Sequence, residues 1–410
     1  MLLLLFALSS LVSDAGDRWP DFRGPSWDGH VPSAAKPPLA WSEDDNVVWK
    51  TAIHGRGWST PVVWDGQIWI TTATETGDEL SALALDAETG EVLFDRVLFE
   101  VEDPKVWRNK MNSHASPSPV IETGRVYIHF GTNGTACLDT ESFEVLWRRR
   151  DINCDHMEGA GSSPILFEDL LIFNADGGDV QFVIALDKET GETAWKTDRS
   201  TDYGELIPDM RKAYSTPIVL DAGGRTELVS SGAVSTMGYD PRSGEELWRV
   251  DHSGFSMSSR SVHQDGVVFV NTGFMQAQLW AVRAGELGAD EERVAWRVKR
   301  GIPTILSPVL VDGRLYFVND SSIAVCLDAE TGEEVWRERL GGEFAASPIY
   351  AAGRLYFFDR DGKTTVLKPG PEFEKLAEND LGDGFLASPA VVGDALILRS
   401  KSHLYRVEER

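Results

Sequence analysis

The amino-acid sequence predicts an all-β protein: an eight-bladed β-propeller with four-stranded antiparallel blades. One pattern recurs along the chain, in which Ser or Thr precedes Pro and is followed by an apolar hairpin, a Leu-Asp pair, a Thr-Gly-Glu turn and Trp. The pattern has eight openings, spaced by about 47 residues on average, which is the length of a four-stranded propeller blade. The last unit lacks a fourth strand, and a matching strand lies near the N-terminus. We therefore expect the two ends of the chain to close one ring.

Each unit opens at the strand that is expected to line the central channel. Pro has no backbone N–H to donate, so it is found at the first residue of a strand or on a sheet edge. The innermost strand of a propeller blade offers such an edge. The openings are Thr60-Pro61, Ser118-Pro119, Ser163-Pro164, Thr216-Pro217, Ser307-Pro308, Ser347-Pro348 and Ser388-Pro389, with Ser261-Val262 in the remaining place.

The remaining strands of each unit explain the rest of the pattern. Residues 62–70 are predicted to form a hairpin with Asp-Gly at its turn. The third strand ends at Asp86, whose side chain bonds to backbone donors of the next turn, while Gly90 takes a positive φ. On the fourth strand, a large ring at one fixed place fills the wedge between neighbouring sheets. These rings are Phe94, Trp147, Trp195, Trp248, Trp296 and Trp336.

The incomplete last unit predicts how the ring closes. The chain ends after the third strand of this unit, whereas residues 46–53 match a fourth strand, with Trp49 in the place of the ring. Closure by this segment removes two exposed sheet edges, which would otherwise promote aggregation. We therefore predict one propeller domain over residues 46–410, although the length alone suggests about two or three domains.

The N-terminal residues predict export. Residues 1–15 are interpreted as a signal peptide, because an apolar run precedes small residues at a cleavage site. The run is too short to span a bilayer, no Cys follows it for lipid attachment, and no later segment is apolar enough to cross a membrane. We therefore expect a periplasmic or extracellular protein. Residues 16–45 predict an extended Pro- and Trp-rich arm, packed on the body through Trp19, Phe22 and Trp27.

Composition limits the partners. The chain carries 39 Lys and Arg against 65 Asp and Glu, and its net charge of −26 opposes binding to nucleic acid or to an anionic membrane surface. Its three cysteines cannot form a disulfide-dense scaffold. Cys137 and Cys326 share one repeat position in different blades and are expected to be buried. Cys154, in a loop, is the thiol expected to react. We expect a monomer.

The repeats resemble the tryptophan-docking repeat of the pyrroloquinoline-quinone (PQQ)-like propeller superfamily, most clearly at residues 84–91 and 326–336. The resemblance covers about residues 45–410 and implies the propeller fold. That superfamily includes quinoprotein dehydrogenases, an outer-membrane assembly lipoprotein, and many exported propellers of unknown role. Residues 19–25, 112–117 and 129–135 are similar to segments of this third group.

The resemblance carries over no catalytic residue. The dehydrogenases hold PQQ beside a disulfide between adjacent cysteines, with a calcium ion and a catalytic Asp. This chain has no adjacent cysteines, and no segment matches the calcium ligands or that Asp. We therefore predict no cofactor and no metal, with PQQ and calcium left as the alternative. The lipid-bearing Cys of the assembly lipoprotein is also missing from this sequence.

The loops before the inner strands are expected to meet at one mouth of the channel. In the first five units these loops are rich in charged, amide and aromatic side chains, and the basic ones are suited to a carboxylate or sulfate ligand. The alternative is that the loop tips form ion pairs among themselves. His114, Asp155, His156 and Glu158 lack the spacing of a metal motif. The candidate ligand-binding residues are Arg56, Trp58, Asn112, His114, Asp155, Glu158, Arg211, Lys212 and Arg260.

These observations favour an exported, non-catalytic propeller that binds a protein or a small ligand at the channel mouth. One alternative is a PQQ-dependent oxidoreductase. Another is an envelope scaffold that resembles the propeller of outer-membrane protein assembly. No catalytic residue is predicted.

Overall fold

The computed structural model describes residues 18–31, 34–105, 109–285 and 290–410. The predicted signal peptide at residues 1–15 lies outside this part of the chain. The described residues form eight four-stranded antiparallel sheets, with short 3-10 helices at Gly131–Asn133, Pro208–Met210 and Asp290–Arg293. The sheets are arranged as blades in a ring, so the predicted all-β, eight-bladed propeller is confirmed.

The first strand, β1, is Val47–Ala52. Blade 1 contains β2 (Val62–Trp64), β3 (Gln67–Ala73), β4 (Glu79–Asp86) and β5 (Val92–Glu100). Blade 2 contains β6 (Val120–Glu122), β7 (Arg125–His129), β8 (Thr135–Asp139) and β9 (Val145–Arg149). Blade 3 contains β10 (Ile165–Phe167), β11 (Leu170–Asp176), β12 (Gln181–Asp187) and β13 (Thr193–Asp198). Blade 4 contains β14 (Ile218–Asp221), β15 (Thr226–Gly232), β16 (Ser235–Tyr239) and β17 (Glu246–Asp251).

Blade 5 contains β18 (Val262–Gln264), β19 (Val267–Asn271), β20 (Leu279–Arg283) and β21 (Val294–Val298). Blade 6 contains β22 (Val309–Val311), β23 (Arg314–Val318), β24 (Ile323–Asp328) and β25 (Glu334–Arg339). Blade 7 contains β26 (Ile349–Ala351), β27 (Arg354–Phe358), β28 (Lys363–Lys368) and β29 (Glu374–Asp380). Blade 8 contains β30 (Ala390–Val392), β31 (Ala395–Arg399) and β32 (His403–Val407).

The ring closes as the sequence predicts. Blade 8 has the strand order β1-β32-β31-β30, so the N-terminal strand supplies its outermost member. The pairing of β1 with β32 is antiparallel and runs from Val47 opposite Val407 to Ala52 opposite His403. The edge of β32 is thereby covered.

Neighbouring blades are joined by indole rings. In blade 2, the Trp147 indole N–H donates to the carbonyl of Lys188 in blade 3 at 3.0 Å. The ring lies on Gly191, where an added Cβ would come within 2.7 Å of it. The turn is held by Asp187, whose carboxylate accepts the backbone N–H of Thr190 at 2.8 Å. The same indole-to-carbonyl bond links Trp49 to Ala87, Trp195 to Pro241, Trp296 to Ala329 and Trp336 to Gly370. The predicted wedge-filling role of these rings is therefore confirmed.

Three blades depart from this contact. In blade 7, Ala377 stands opposite Val366, in the register position that Trp336 takes opposite Cys326. Phe94 of blade 1 stacks on Phe143, with 5.2 Å between ring centroids, and Phe143 takes the positive φ (58°) that Gly adopts in the other turns. In blade 4 the Trp248 indole donates to the Glu227 carboxylate of its own blade at 2.7 Å, and the Arg293 guanidinium lies 5.0 Å from its ring centroid. Trp248 is thus tied within its own blade.

The cysteines are free and buried. This arrangement confirms the expectation for Cys137 and Cys326. The expectation of a reactive thiol at Cys154 is wrong, because the residue is only 5% exposed and burial raises the pKa of its thiol. A thiol in such surroundings stays protonated and unreactive.

We expect Gly191→Ala to destabilise the protein by about 1–3 kcal/mol more than Gly223→Ala. Both glycines have a positive φ (74° and 71°), so both variants carry the same backbone cost. Only the Cβ at position 191 would strike the Trp147 ring, since no atom lies within 4 Å of the one built at Gly223. Urea unfolding followed by tryptophan fluorescence measures the difference. Equal losses in the two variants would show that the docked ring tolerates displacement.

Two truncations test the closure. A chain without residues 1–45 keeps β1 and is expected to remain monomeric, although it loses the contacts of the arm. A chain without residues 1–53 exposes the edge of β32 and is expected to associate or aggregate. Light scattering after size-exclusion chromatography gives the masses, and thermal unfolding gives the stabilities. Two truncated proteins that are equally monomeric and equally stable would contradict closure of the ring by β1.

Candidate functional site

The N-terminal arm crosses the central channel. The backbone of Trp19 exchanges hydrogen bonds with Val63 of blade 1 at 2.9 and 2.8 Å, and the Pro20 carbonyl accepts the N–H of Ile121 in blade 2 at 2.9 Å. Farther along the arm, Val31 donates to the Tyr350 carbonyl of blade 7 at 2.9 Å. The arm therefore contacts the inner strands of blades 1, 2 and 7 along its path.

Two buried guanidinium groups anchor the arm. Arg260 of blade 5 donates to the Asp21 carboxylate at 2.6 Å and also to the Phe22 carbonyl. Arg23 donates to the carbonyls of Pro348 and Pro308 at 3.1 and 2.7 Å. Burial lowers the pKa of Arg23 to about 9 and also lowers that of Arg260. The N–H groups of both guanidiniums donate mainly to backbone carbonyls and to the buried Asp21 carboxylate. The two side chains therefore hold the arm in place and do not face solvent.

A belt of hydroxyl groups surrounds the channel above the arm. It is formed by the Ser or Thr that precedes Pro in seven of the openings. Six of these hydroxyl oxygens accept the backbone N–H of the equivalent residue in the preceding blade, whereas the Thr60 hydroxyl has no such partner. The bonds run from Thr60 to Ser118, Ser118 to Ser163, Ser163 to Thr216, Arg260 to Ser307, Ser307 to Ser347 and Ser347 to Ser388, at 2.9–3.2 Å. Arg260 stands in the belt position of blade 5, so the predicted opening Ser261-Val262 is one residue too late: Ser261 takes the place of Pro, and Val262 begins β18. The belt holds the inner strands at one height.

A cup with a volume of about 350 Å³ lies at the channel mouth. All eight blades contribute to its wall, and Phe22 of the arm lies at its base. Its large apolar and aromatic side chains are Phe22, Trp58, Met111, Tyr214, Phe274, Ile305 and Leu386. Its amide and charged side chains are Asn109, Asn112, Glu158, Asp209 and Lys212, and hydroxyls of the belt complete it. The cup is an amphipathic, partly enclosed concavity, the usual form of a small-ligand site.

Four of the nine residues that the sequence singles out line this cup: Trp58, Asn112, Glu158 and Lys212. The Asn112 amide donates to the Glu158 carbonyl at 3.1 Å, which joins the loops of blades 2 and 3. Lys212 is buried and pairs with Asp209, whose backbone carbonyl it also reaches at 3.0 Å.

The other five do not line the cup, which corrects the expectation of basic groups gathered at its wall. The Arg56 guanidinium lies 5.3 Å from the Trp58 ring centroid and donates to the carbonyls of Lys110 and Asn112 at 2.9 and 3.2 Å. Arg211 donates to the Leu206 carbonyl at 2.6 Å. Backbone carbonyls therefore hold these cations behind the wall.

The three remaining candidates have structural contacts of other kinds. Arg260 lies below the wall and pairs with Asp21 of the arm. Asp155 forms an ion pair with Lys105. The His114 ring packs on Gly77, and burial, followed by the charge of Arg56, lowers its pKa.

The structure also bears on metal and membrane binding. Within the described ranges, no cluster of three or more His, Cys, Asp or Glu side chains could hold a metal ion. His156 is instead partly buried, and its Nε2 accepts the backbone N–H of Thr132 at 3.1 Å. The same described ranges contain no helix with the length and apolar character needed to cross a membrane.

Sequence reasoning missed the base and the belt of the cup. Phe22 was expected only to pack the arm on the body, because its approach to the channel depends on contacts with blades far along the chain. The belt did have a signal: a hydroxyl residue precedes Pro in unit after unit. The sequence prediction gives a role to the Pro of each opening and none to the hydroxyl residue before it. The Arg in the belt position of blade 5 marked the anchor of the arm.

The repeat-built ring defines a PQQ-like β-propeller. The family model described as outer membrane protein assembly factor BamB matches residues 98–237 and 277–369, more than half of the chain, and the chain belongs to that family.

Among curated proteins, methanol dehydrogenase [cytochrome c] subunit 1 of Methylorubrum extorquens is 26% identical over 204 residues, or 43% of this chain and 30% of that protein. The corresponding subunit of Methylobacterium organophilum is 26% identical over 163 residues, or 35% of this chain and 24% of that protein. The chain therefore spans less than a third of the length of these two relatives.

Solved structures share the fold. Quinohemoprotein alcohol dehydrogenase from Comamonas testosteroni superposes with a TM-score of 0.65 at 12% identity, covering 96% of this chain and 81% of that one. BamB from Moraxella catarrhalis gives a TM-score of 0.61 at 13% identity, covering 88% and 99%. At such identities these likenesses establish the architecture alone.

Acid is expected to weaken the wall of the cup through His156, whose backbone carbonyl accepts the Tyr214 hydroxyl at 3.0 Å. Burial lowers the pKa of His156 to about 4, against about 6.5 in an unfolded chain. The unfolded state thus binds the proton more readily. The stabilisation is present above pH 6.5 and is lost, by about 1.4 kcal/mol per pH unit, as pH falls toward 4.

Urea unfolding at a series of pH values measures this slope. His156→Gln keeps an acceptor for Thr132 and is expected to reduce the slope between pH 4 and 6.5. Some slope will remain, because burial also lowers the pKa values of His129 and His252, to about 3 and 4. His54→Gln, at an exposed residue that contacts Asp95, is the matched control. An unchanged slope in His156→Gln would contradict the assignment.

Proposed function

We propose that the protein is an exported, non-catalytic β-propeller whose cup binds a small molecule or a short segment of a partner protein. The observation that carries this proposal is the cup itself: a concavity of about 350 Å³, walled by every blade and closed at its base by an anchored arm. Closing a channel with a buried ion pair produces a preorganised site, which reduces the entropic cost of binding. The apolar run at residues 1–12 supports export.

The chemistry of the wall supports binding rather than catalysis. The belt hydroxyls accept backbone N–H groups of neighbouring blades, for example Ser163 from Ser118 at 2.9 Å. An activated hydroxyl nucleophile needs an adjacent general base. Among the described residues that line the cup, the groups that could act as a base are Glu158, Asp209 and Lys212, and none of them bonds to a belt hydroxyl. Their role is therefore architectural.

The wall does not fit PQQ, the cofactor that the superfamily implies. PQQ is a planar quinone with three carboxylates, so its site must supply cations. The described wall offers Lys212, which is already paired with Asp209, and it adds the carboxylate of Glu158. We therefore propose that this protein does not use PQQ, and no step of its function is assigned to that cofactor.

A scaffold of the cell envelope is a second candidate, favoured by the description of the matching family. Large apolar side chains are also exposed in loops of blades 4 and 5: Ile207, Phe274 and Met275 are 59%, 51% and 68% exposed. Phe274 also lines the cup, so a bound partner would contact the loops and the cup together.

A variant with a large side chain in the cup tests the proposal. Ala345 lies on its wall, and Ala345→Trp is expected to reduce binding at least about tenfold by occupying the ligand volume. Ala194→Trp, at an exposed site on β13, is the matched control and should bind normally. Native mass spectrometry of the purified protein detects retained small molecules, and crosslinking in the source envelope detects partners.

Two results would overturn the proposal. One is equal ligand or partner recovery from both tryptophan variants, which would place the binding site outside the cup. The other is saturable PQQ binding by the wild-type protein in the presence of calcium, with dye reduction that depends on an alcohol or a sugar.

A further inference from the structure

The charged side chains of the cup wall, within the described part of the chain, are those of Glu158, Asp209 and Lys212. Lys212 and Asp209 neutralise each other in an ion pair. The Glu158 carboxylate has no ion-pair partner among the described residues, so the wall carries a formal charge of −1. The cup therefore presents one carboxylate, that of Glu158, with which a cationic ligand can pair.

The nearby arginines do not supply that counterion. Arg56 is held by two backbone carbonyls, Arg211 by a third, and Arg260 by Asp21 of the arm. To turn toward Glu158, each would have to leave a partly or fully buried acceptor without its donor, which costs about 1–3 kcal/mol. The carboxylate is thus left for an external partner.

The rest of the wall suits a cation as well. Aromatic side chains of Phe22, Trp58, Tyr214 and Phe274 line the cup, and the faces of such rings attract organic cations. The Arg56 guanidinium already lies 5.3 Å from the Trp58 centroid and that of Arg260 lies 5.9 Å from the Phe22 centroid, so each of these two rings has one face left for a ligand. The whole chain has a net charge of −26, so its long-range field also concentrates cations at the surface and speeds their association.

Building on the proposed function, we infer that the cup binds a positively charged organic group, an ammonium or a guanidinium, with Glu158 as its counterion. This assignment reverses the sign of the ligand that the basic loops suggest from sequence. A free amine and the Lys or Arg side chain of a partner protein present the same chemistry. The cup is sized for one such group and its neighbouring atoms.

The test compares choline with 3,3-dimethylbutan-1-ol, its neutral isostere, by calorimetric titration. Choline is expected to bind saturably and at least about tenfold more tightly than the alcohol, and more weakly at high salt. Acetate and sulfate are expected not to compete. N-acetyl-lysine amide and N-acetyl-arginine amide form a second arm. Tighter binding of these amides identifies the side chain of a partner as the source, whereas tighter binding of choline identifies a free amine.

Glu158→Gln is expected to weaken cation binding about tenfold. Its side chain makes no hydrogen bond within the described residues, so the fold should not be disturbed. Glu205→Gln removes the same charge from an exposed site on the loop that carries Asp209, and it should change affinity by less than about twofold. This control distinguishes the local effect of the Glu158 charge from the electrostatic field of the whole chain.

The inference is overturned if the alcohol binds as tightly as choline, if the anions bind instead, or if the two glutamate variants behave alike. It is also overturned if none of the cations binds. The Ala345→Trp variant distinguishes these failures from failure of the proposed function. If it abolishes binding of an anion or a neutral molecule, the cup remains the binding site and only the sign of the ligand is wrong.

Discussion

The ring depends on one repeated interaction, in which the aromatic ring of one blade lies on the turn of the next. A four-stranded sheet is too small to bury both of its faces alone, so each blade is stable only between neighbours. The indole of Trp147 does two things at once: it fills the wedge over Gly191 and satisfies the Lys188 carbonyl. Since this contact recurs with the same geometry, the blades are held in register, and the inner strands meet at the height of the hydroxyl belt.

The cup results from one difference between the blades, an Arg in place of Ser or Thr in the hydroxyl belt. Seven positions carry a hydroxyl, and six of these hydroxyls accept a bond along the ring, whereas blade 5 carries Arg260. The guanidinium reaches across to Asp21 and to the Phe22 carbonyl, and this contact fixes the arm under the mouth. Removing two charges from water is costly, so a buried pair of this kind serves position more than stability. The channel thereby becomes a closed cup.

The sequence predicted the architecture because the architecture is repetitive. Three features recur in phase along the chain, and each has a local physical reason: the Pro of the opening, the turn after Asp86 and its equivalents, and the ring of Trp147 and its equivalents. A wrong assignment in one unit is therefore corrected by the other units. Closure by β1 was predictable for the same reason, since Trp49 fills the place of a missing ring. Even the departure at Phe94 follows the rule, because Phe143 supplies a second ring.

The site was predicted only in part because it is not repetitive. Position along the chain places Arg56 and Arg211 in mouth loops, but it does not show that backbone carbonyls turn their guanidinium groups away from the cup. Likewise, Phe22 reaches the base through an arm that is anchored by blades 5 to 7, hundreds of residues away. A periodic sequence pattern does not predict the direction of a side chain or its contacts with distant residues.

The closure at blade 8 also sets the order in which the molecule can fold. Val47 pairs with Val407, so a segment near the start of the chain must wait for the last strands before its edge is covered. The entropy of closing so long a loop grows only slowly with its length, but non-local pairing slows folding strongly. Until that moment the nascent ring has two open edges.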